Sequence, residues 1–170
     1  MDAKELRDSE IILSPLVMND AFEWLDGQDE EQIRWFEFPR PADLSDVQRF
    51  ISETIESWNT SSGHWHWGIR KTESPPLIGG VDLRFLADGE FNLSYVIFPF
   101  FRNHGFAKRA SVLALRYAHD TLMARTVIIK MLPDNEYSTK LAESLGAVYV
   151  GSEPSDAGSE FKVYKLDMTV

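Results

Sequence analysis

Tyr95-Val96-Ile97-Phe98-Pro99-Phe100-Phe101-Arg102-Asn103-His104-Gly105-Phe106-Ala107-Lys108-Arg109-Ala110 is the stretch that decides the fold. It opens with β-branched and aromatic residues suited to a strand. It turns sharply and runs into helical spacing, with Phe106, Ala110, Leu113, Ala114 and Tyr117 on one face. A glycine at such a junction lets backbone N–H groups crowd around an anion, and the new helix aims its positive end at the same spot. Arg102, Lys108 and Arg109 bring cations to the same few residues. The junction suits a phosphate.

Working outward, the pattern on both sides is mainly that of strands. Upstream, Glu10 to Leu16 is β-like, and His64 to Arg70 alternates as a strand does. Leu77 to Leu86 and Phe91 to Phe98 flank the hairpin signal Asp88-Gly89. Between the first two strands lie a short helix carrying Phe22, Trp24 and Leu25, a second helical piece from Glu30 to Phe36, and a longer helix. The longer one has Val47, Phe50, Ile51, Ile55 and Trp58 at helical spacing, with Asp43 or Ser45 as its cap. Ser74-Pro75-Pro76 reads as a turn. Downstream, the helix from Phe106 runs to Met123 and a β-branched strand covers Thr126 to Leu132. Pro133-Asp134-Asn135 opens a last helix, which Gly146 ends. Ala147 to Val150 and Phe161 to Leu166 are closing strands, and residues 151–160 are expected to form a mobile loop. The expected fold is α/β (α+β): a mixed, mostly antiparallel seven-stranded sheet with about four helices and one parallel crossover. No internal repeat or linker divides the chain, so residues 1–170 read as one domain.

Composition narrows the function. The 44% hydrophobic share fits a globular chain, and no apolar run approaches the roughly 20 residues of a membrane span. The N-terminal Met1-Asp2-Ala3-Lys4-Glu5 lacks the apolar core of a secretion signal, and there is no cysteine, which together suggest the cytoplasm. A net charge of −10 argues against nucleic acid as a partner. Asp20, Glu23, Asp26, Asp29, Glu30, Glu31, Glu37, Asp43 and Asp46 are opposed by only Arg34 and Arg40 in their stretch. From Phe101 to Lys130 the bases Arg102, Lys108, Arg109, Arg116, Arg125 and Lys130 meet Asp120 alone. This asymmetry fits an anionic cofactor on one side and a cationic substrate on the other, and equally fits ordinary solvated faces. His64, His66, His104 and His119 lack an acidic or cysteine partner at ligand spacing, so no metal site is expected, and His64 and His66 are assigned to a solvated strand face.

Arg102-Asn103-His104-Gly105-Phe106-Ala107 resembles the Arg/Gln-x-x-Gly-x-Gly/Ala pyrophosphate loop of the GNAT superfamily of acyl-CoA-dependent N-acetyltransferases. Asn135-Glu136-Tyr137-Ser138-Thr139-Lys140-Leu141 and the Gly146-Ala147 after it resemble that family's second motif, with alanine for the usual aromatic. Ile11-Ile12-Leu13-Ser14-Pro15-Leu16 and Ile78-Gly79-Gly80 are similar to the branch that acetylates ribosomal-protein N-termini. Neither the Gly-x-x-x-x-Gly-Lys-Ser/Thr loop nor the Gly-x-Gly-x-x-Gly fingerprint is present.

The resemblance implies acetyl-CoA as co-substrate. Its pyrophosphate would lie on Asn103, His104, Gly105, Phe106 and Ala107, with Arg102 and Lys108 as side-chain candidates. Its pantetheine arm would follow Tyr95, Val96 and Ile97 at a gap between splayed central strands, with Asn135 hydrogen-bonded to the arm and Ser138 protonating the thiolate. The family's frequent strand glutamate falls at Asn92, which cannot act as a base, and its helix tyrosine falls at Ala142. Glu37, Asp82, His64 and His66 stand as substitute bases, and Trp35 with Glu37 as acceptor contacts. The function implied is transfer of acetyl to a primary amine on a protein N-terminus, a polyamine or a small molecule, by a monomer or homodimer. The alternative is a coenzyme-A-binding or sensor domain without turnover.

Overall fold

The computed structural model describes residues 4–73 and 76–169; the expected turn at Ser74-Pro75 and the residues Met1-Asp2-Ala3 lie outside them. Strands run β1 (Leu6–Arg7), β2 (Ile11–Pro15), β3 (His64–Lys71), β4 (Leu77–Ala87), β5 (Glu90–Ile97), β6 (Thr126–Met131), β7 (Val148–Pro154) and β8 (Glu160–Asp167). Helices run α1 (Ala21–Asp26), α2 (Glu30–Trp35), α3 (Leu44–Thr60), α4 (Phe106–Asp120) and α5 (Glu136–Ser144). The sheet therefore has eight strands rather than seven, and five α-helices rather than about four flank it. The additional strand, β1, is two residues long and pairs Leu6 with Leu13 and Arg7 with Ile12, too short to leave an alternation in the sequence. The expected loop at 151–160 is also shorter than read. β7 continues to Pro154, and the Ser155 N–H donates to the Ser159 carbonyl across the turn at 2.8 Å.

The strand order is β1-β2-β3-β4-β5-β6-β8-β7. Neighbours are antiparallel except β5 and β6, which are parallel and joined through α4. That single parallel pair is the key to the site. Its register covers only Glu90 to Thr126, Phe91 to Val127 and Asn92 to Ile128. Beyond Asn92 the strands part, and residues 93–97 have no strand partner on their β6 side.

Two apolar clusters hold the sheet. One joins it to α4 through Phe106, Ala110, Leu113 and Ala114 of the face read from the sequence, with Tyr117 of that face partly buried against them, and through Ala118, together with Trp67, Leu83 and Leu93. The other joins it to α1 and α3 through Trp24, Val47, Ile51 and Phe98. Burying each large apolar side chain contributes about 1.5–3 kcal/mol, so both layers are firmly anchored. α3 starts in a capping box: the Asp46 N–H donates to Asp43 Oδ1 at 3.0 Å and the Asp43 N–H to Asp46 Oδ2 at 3.1 Å.

Candidate active site

The parting of β5 and β6 opens a cleft of about 580 Å³. Its walls include residues 92–97 of β5, Ile129 to Met131 of β6, the loop before α4, Asn135 and Ser138 of α5, and Gln32, Trp35 and Phe36 of α2. Residues that the sequence brings forward from three separate stretches thus meet at one gap.

The phosphate end follows from the backbone. Asn103 has φ of 63° and Gly105 of 79°, so the chain turns through the left-handed region twice before α4. Asparagine tolerates that region and glycine has no penalty there. A Cβ on Gly105 would meet nothing within 4 Å, so the open loop, as well as the dihedral, leaves space above the helix start. Gly105 is the N-cap and supplies no side-chain cap, so the N–H groups of the first turn have no partner within the helix. Gly105, Phe106, Ala107, Lys108 and Asn103 all line the cleft. His104 is exposed, and its Nδ1 lies 2.6 Å from the Arg102 carbonyl at the loop's outer side.

The three cations separate in space. Arg102 donates to both oxygens of Asp29 at 2.6 and 2.9 Å, to Glu31 at 2.7 Å and from Nε to the Ile97 carbonyl at 3.0 Å. The Arg102 hydrogen bond holds the Asp29 carboxyl below its usual range, against the opposing effect of burial. Asp29 also caps α2 by accepting from the Gln32 N–H. Arg102 therefore clasps α2 to the phosphate loop. Arg109 turns away to Asp8 and Glu10 beside β2. Lys108 alone of the three lines the cleft without an ion pair among the described residues.

Deeper in the cleft, Tyr95 presents a buried hydroxyl that has no hydrogen-bond partner among the described residues. Burial pushes this phenol up to about 12, with the nearby Ser138 hydroxyl opposing the rise while falling short of bonding geometry. It remains protonated at any ordinary pH. Asn135 caps α5 by accepting from the Ser138 N–H at 3.1 Å, which brings both residues to the wall and leaves the Asn135 amide nitrogen for other bonds. Ala142 is fully buried in the main core, away from the cleft. The motif points to the backbone of Tyr95 and not to its side chain; the signal for the hydroxyl in the sequence is a phenol on the strand facing the second motif.

On the acceptor side, Gln32 Oε1 and Asn92 Oδ1 are both buried without partners among the described residues, and both residues line the cleft. Asn92 Nδ2 donates to Ser94 at 2.9 Å. Among the described residues, the one carboxylate lining the cleft is Glu31, already paired with Arg102. Glu37, read as a substitute base, lies outside the cleft walls. The hydroxyls of Ser155 and then Ser159 hold its carboxyl below the usual range, so it is a weak proton acceptor facing the β7–β8 turn. Trp35 and Phe36 line the mouth, with Arg34 stacked 4.4 Å over the Trp35 ring, while Trp24 and Trp67 are core. Four of the nine acids in the acidic stretch are ion-paired: Arg70 takes Asp20, Arg102 takes Asp29 and Glu31, and Arg40 and Arg49 take Asp46. The assignment of His64 and His66 to a solvated face without an acidic partner is overturned. His66 is buried, and Asp82 on β4 lies across from it, 2.8 Å from His64 Nε2. Burial drives the His66 imidazole down to about 4, with the Asp82 charge opposing, so it is uncharged at neutral pH.

Residues 10–148 match the acetyltransferase (GNAT) domain family, and the chain belongs to that family. It is an acetyl-CoA-dependent N-acetyltransferase. Comparison with curated protein sequences gives no significant match. Solved structures share the fold at low identity. One is a protein of Vibrio cholerae assigned as a ribosomal-protein-serine acetyltransferase, with 20% identity, a TM-score of 0.81 and coverage of 96% of this chain and 97% of that one. Another is the ribosomal-protein-S5-alanine acetyltransferase of Vibrio fischeri, at 12% identity and a TM-score of 0.83, with 97% of each chain covered. A third is the microcin C7 self-immunity acetyltransferase MccE in complex with acetyl-CoA and AMP. It is 18% identical with a TM-score of 0.79, and 94% of this chain and 93% of that one are covered.

Proposed function

We propose that the chain acetylates the primary α-amine of a peptide or protein N-terminus. The observation that carries this reading is the chemistry of the acceptor wall, where unpartnered amide oxygens of Gln32 and Asn92 stand in place of a free carboxylate. An amine must attack in its neutral form. Deprotonating a lysine-type amine, with a pKa of about 10.4, costs roughly 4–5 kcal/mol at neutral pH, whereas an α-amine near 7.7–8.0 costs about 1. A bare carboxylate beside the amine would hold its proton on. Amide oxygens accept N–H bonds from a neutral amine with far less bias toward the cation. This wall therefore suits an amine that needs little help.

In this reading, the N–H groups of Gly105, Phe106, Ala107 and Lys108, with the Lys108 ammonium, hold the pyrophosphate, and Asn103 shapes the turn. The β6-facing edge of Tyr95, Val96 and Ile97 and the Asn135 amide hold the pantetheine arm, and a strand N–H there polarises the thioester carbonyl. Gln32 and Asn92 orient the amine nitrogen toward that carbonyl. As the C–S bond breaks, the Tyr95 hydroxyl gives its proton to the leaving thiolate, and Ser138 beside it relays a replacement. The proton lost by the nitrogen leaves to water at the mouth. Glu37 has no part in these steps.

Thiol release over an amine panel is the test. Peptides with free α-amines should exceed Nα-acetyl-lysine and spermidine in kcat/KM by at least about tenfold at pH 7.5, given the roughly 3–4 kcal/mol difference in deprotonation cost. A preference for spermidine or the lysine side chain would sink the reading.

A further inference from the structure

Outside the cleft, three side chains converge on the face of the sheet that packs on α1 and α3. His64 and His66 are two residues apart on β3, hence on the same side, and Asp82 sits directly across from His66 on β4. Their candidate donor atoms all lie within 4.8 Å of one another. His64 Nε2 and Asp82 Oδ2 are 2.8 Å apart. The His66 ring is fixed edge-on between Trp24 and Phe50, at centroid distances of 5.3 and 5.0 Å. Its Nε2 is buried and has no hydrogen-bond partner among the described residues. The lack of a side chain at Gly80 lets the His66 and Trp24 rings sit directly on β4: a Cβ there would lie 2.8 Å from His66 Nε2 and 2.6 Å from the Trp24 ring. A buried polar atom without a partner calls for an explanation, and an ion is one of the few available.

We propose that His64, His66 and Asp82 form a site for one divalent transition-metal ion of the zinc kind. Two imidazole nitrogens and a carboxylate oxygen are a mixed donor set that zinc accepts at about 2.0–2.2 Å. Magnesium and calcium require oxygen ligands and would be refused. A tetrahedral site with such bonds has ligand atoms about 3.3 Å apart. The His64–Asp82 pair therefore opens by about half an ångström, and the widest separation closes by at most about 1.5 Å, by rotation of side chains. His64 and Asp82 are the two free to move, with side chains 26% and 13% exposed, and this exposure lets water supply the fourth ligand. Arg84, across from His64 on the same face, opposes a cation, and the Asp82 carboxylate offsets it. The ion would tie β3 to β4. Asp82 also pairs in register with Ser94, which lines the cleft, so the bound ion braces the strand behind the acceptor wall without touching the reacting groups.

The experiment uses the full chain without an affinity tag. Calorimetry with Zn²⁺ should give one site per chain, Mg²⁺ should give none, and Co²⁺ should give the visible absorption of a tetrahedral site. A hundredfold excess of Zn²⁺ over Kd should raise Tm by about 5–10 °C. His66→Gln and Asp82→Asn should each weaken Zn²⁺ at least tenfold while acetyl-CoA binding is kept, and His119→Gln, at an exposed histidine, should leave Zn²⁺ unchanged. Absence of a one-to-one site, or a site indifferent to His66→Gln and Asp82→Asn, overturns the proposal. Should His66→Gln not fold, Asp82→Asn, which removes no core packing, decides the question. None of the three residues lines the cleft, so failure here leaves the α-amine reading standing.

Discussion

The two walls of the cleft are built by different means. The phosphate wall is local: a strand end, two left-handed residues and the first turn of α4, all within Tyr95 to Lys108, with the backbone making the binding surface. The acceptor wall is non-local and made of side chains. Arg102 reaches back 73 positions to Asp29, and Arg34 on α2 pairs with Asp134 before α5, 100 positions away. One wall can be read from a short motif, and the other depends on which distant groups the fold brings together. Breaking the first should abolish binding, whereas breaking the second should alter rate, stability or selectivity.

The largest effect is expected on the local wall. Gly105→Asp places a carboxylate where the phosphates sit and a side chain at φ of 79°. Acetyl-CoA binding should fall beyond calorimetric detection while the circular dichroism spectrum is retained. Measurable binding would show that the loop is not the cradle.

Tyr95→Phe tests the deep end, where the walls meet. The ring keeps its packing and the hydroxyl is lost. The rate of acetyl transfer should drop about 10²-fold or more, the usual share of a general acid, with little change in acetyl-CoA affinity. Since the buried hydroxyl has no partner, stability should hold or rise slightly. A kcat unchanged from wild type would remove Tyr95 from the chemistry.

The cations divide the comparison further. Lys108→Gln should weaken acetyl-CoA about tenfold, roughly 1.4 kcal/mol, and leave Tm nearly unmoved. Arg102→Gln should do the reverse, lowering stability by about 1–2 kcal/mol and Tm by a few degrees. Asp29 gives this variant a pH signature. Its folded pKa lies below the unfolded value of about 3.9, so its stabilisation is present above that pH and lost as pH falls through the folded pKa. Wild type and variant should therefore differ most near neutrality and converge in acid denaturation below about pH 4. A constant gap across that range would show that Asp29 is not the partner that matters. Smallest of all, Glu37→Gln should change kcat/KM by less than about twofold, since general bases contribute 10²–10⁴ and Glu37 lies outside the cleft walls.

What could be read in the sequence follows the same division. The phosphate loop, the apolar face of α4 and the cap at Asn135 depend on neighbours within a few residues, so their spacing announces them. The parallel crossover was readable because a strand, a long helix and a β-branched strand follow each other directly. β1 was not, because two residues carry no period. Arg102 was read as a phosphate ligand candidate from its place in the motif, and its salt bridges could not be anticipated without knowing that α2 folds over the loop. His64 and His66 looked solvent-facing because alternation gives a side of the sheet but not what covers it, and Trp24 and Phe50 cover it. The Tyr95 hydroxyl is hidden for a related reason: the motif marks the strand beside it through the backbone and not through side chains.

The short register between β5 and β6 has one more consequence. Unsatisfied ladder groups are usually found on the border strand of a sheet, where a second chain can dock on them and start aggregation. Here such groups lie in the interior of the sheet, between β5 and β6, with α2 and α5 on either side. A stray polypeptide would have to prise the halves apart to reach them. The protein can thus keep a sticky backbone edge exposed to its small ligand without inviting intermolecular β-pairing.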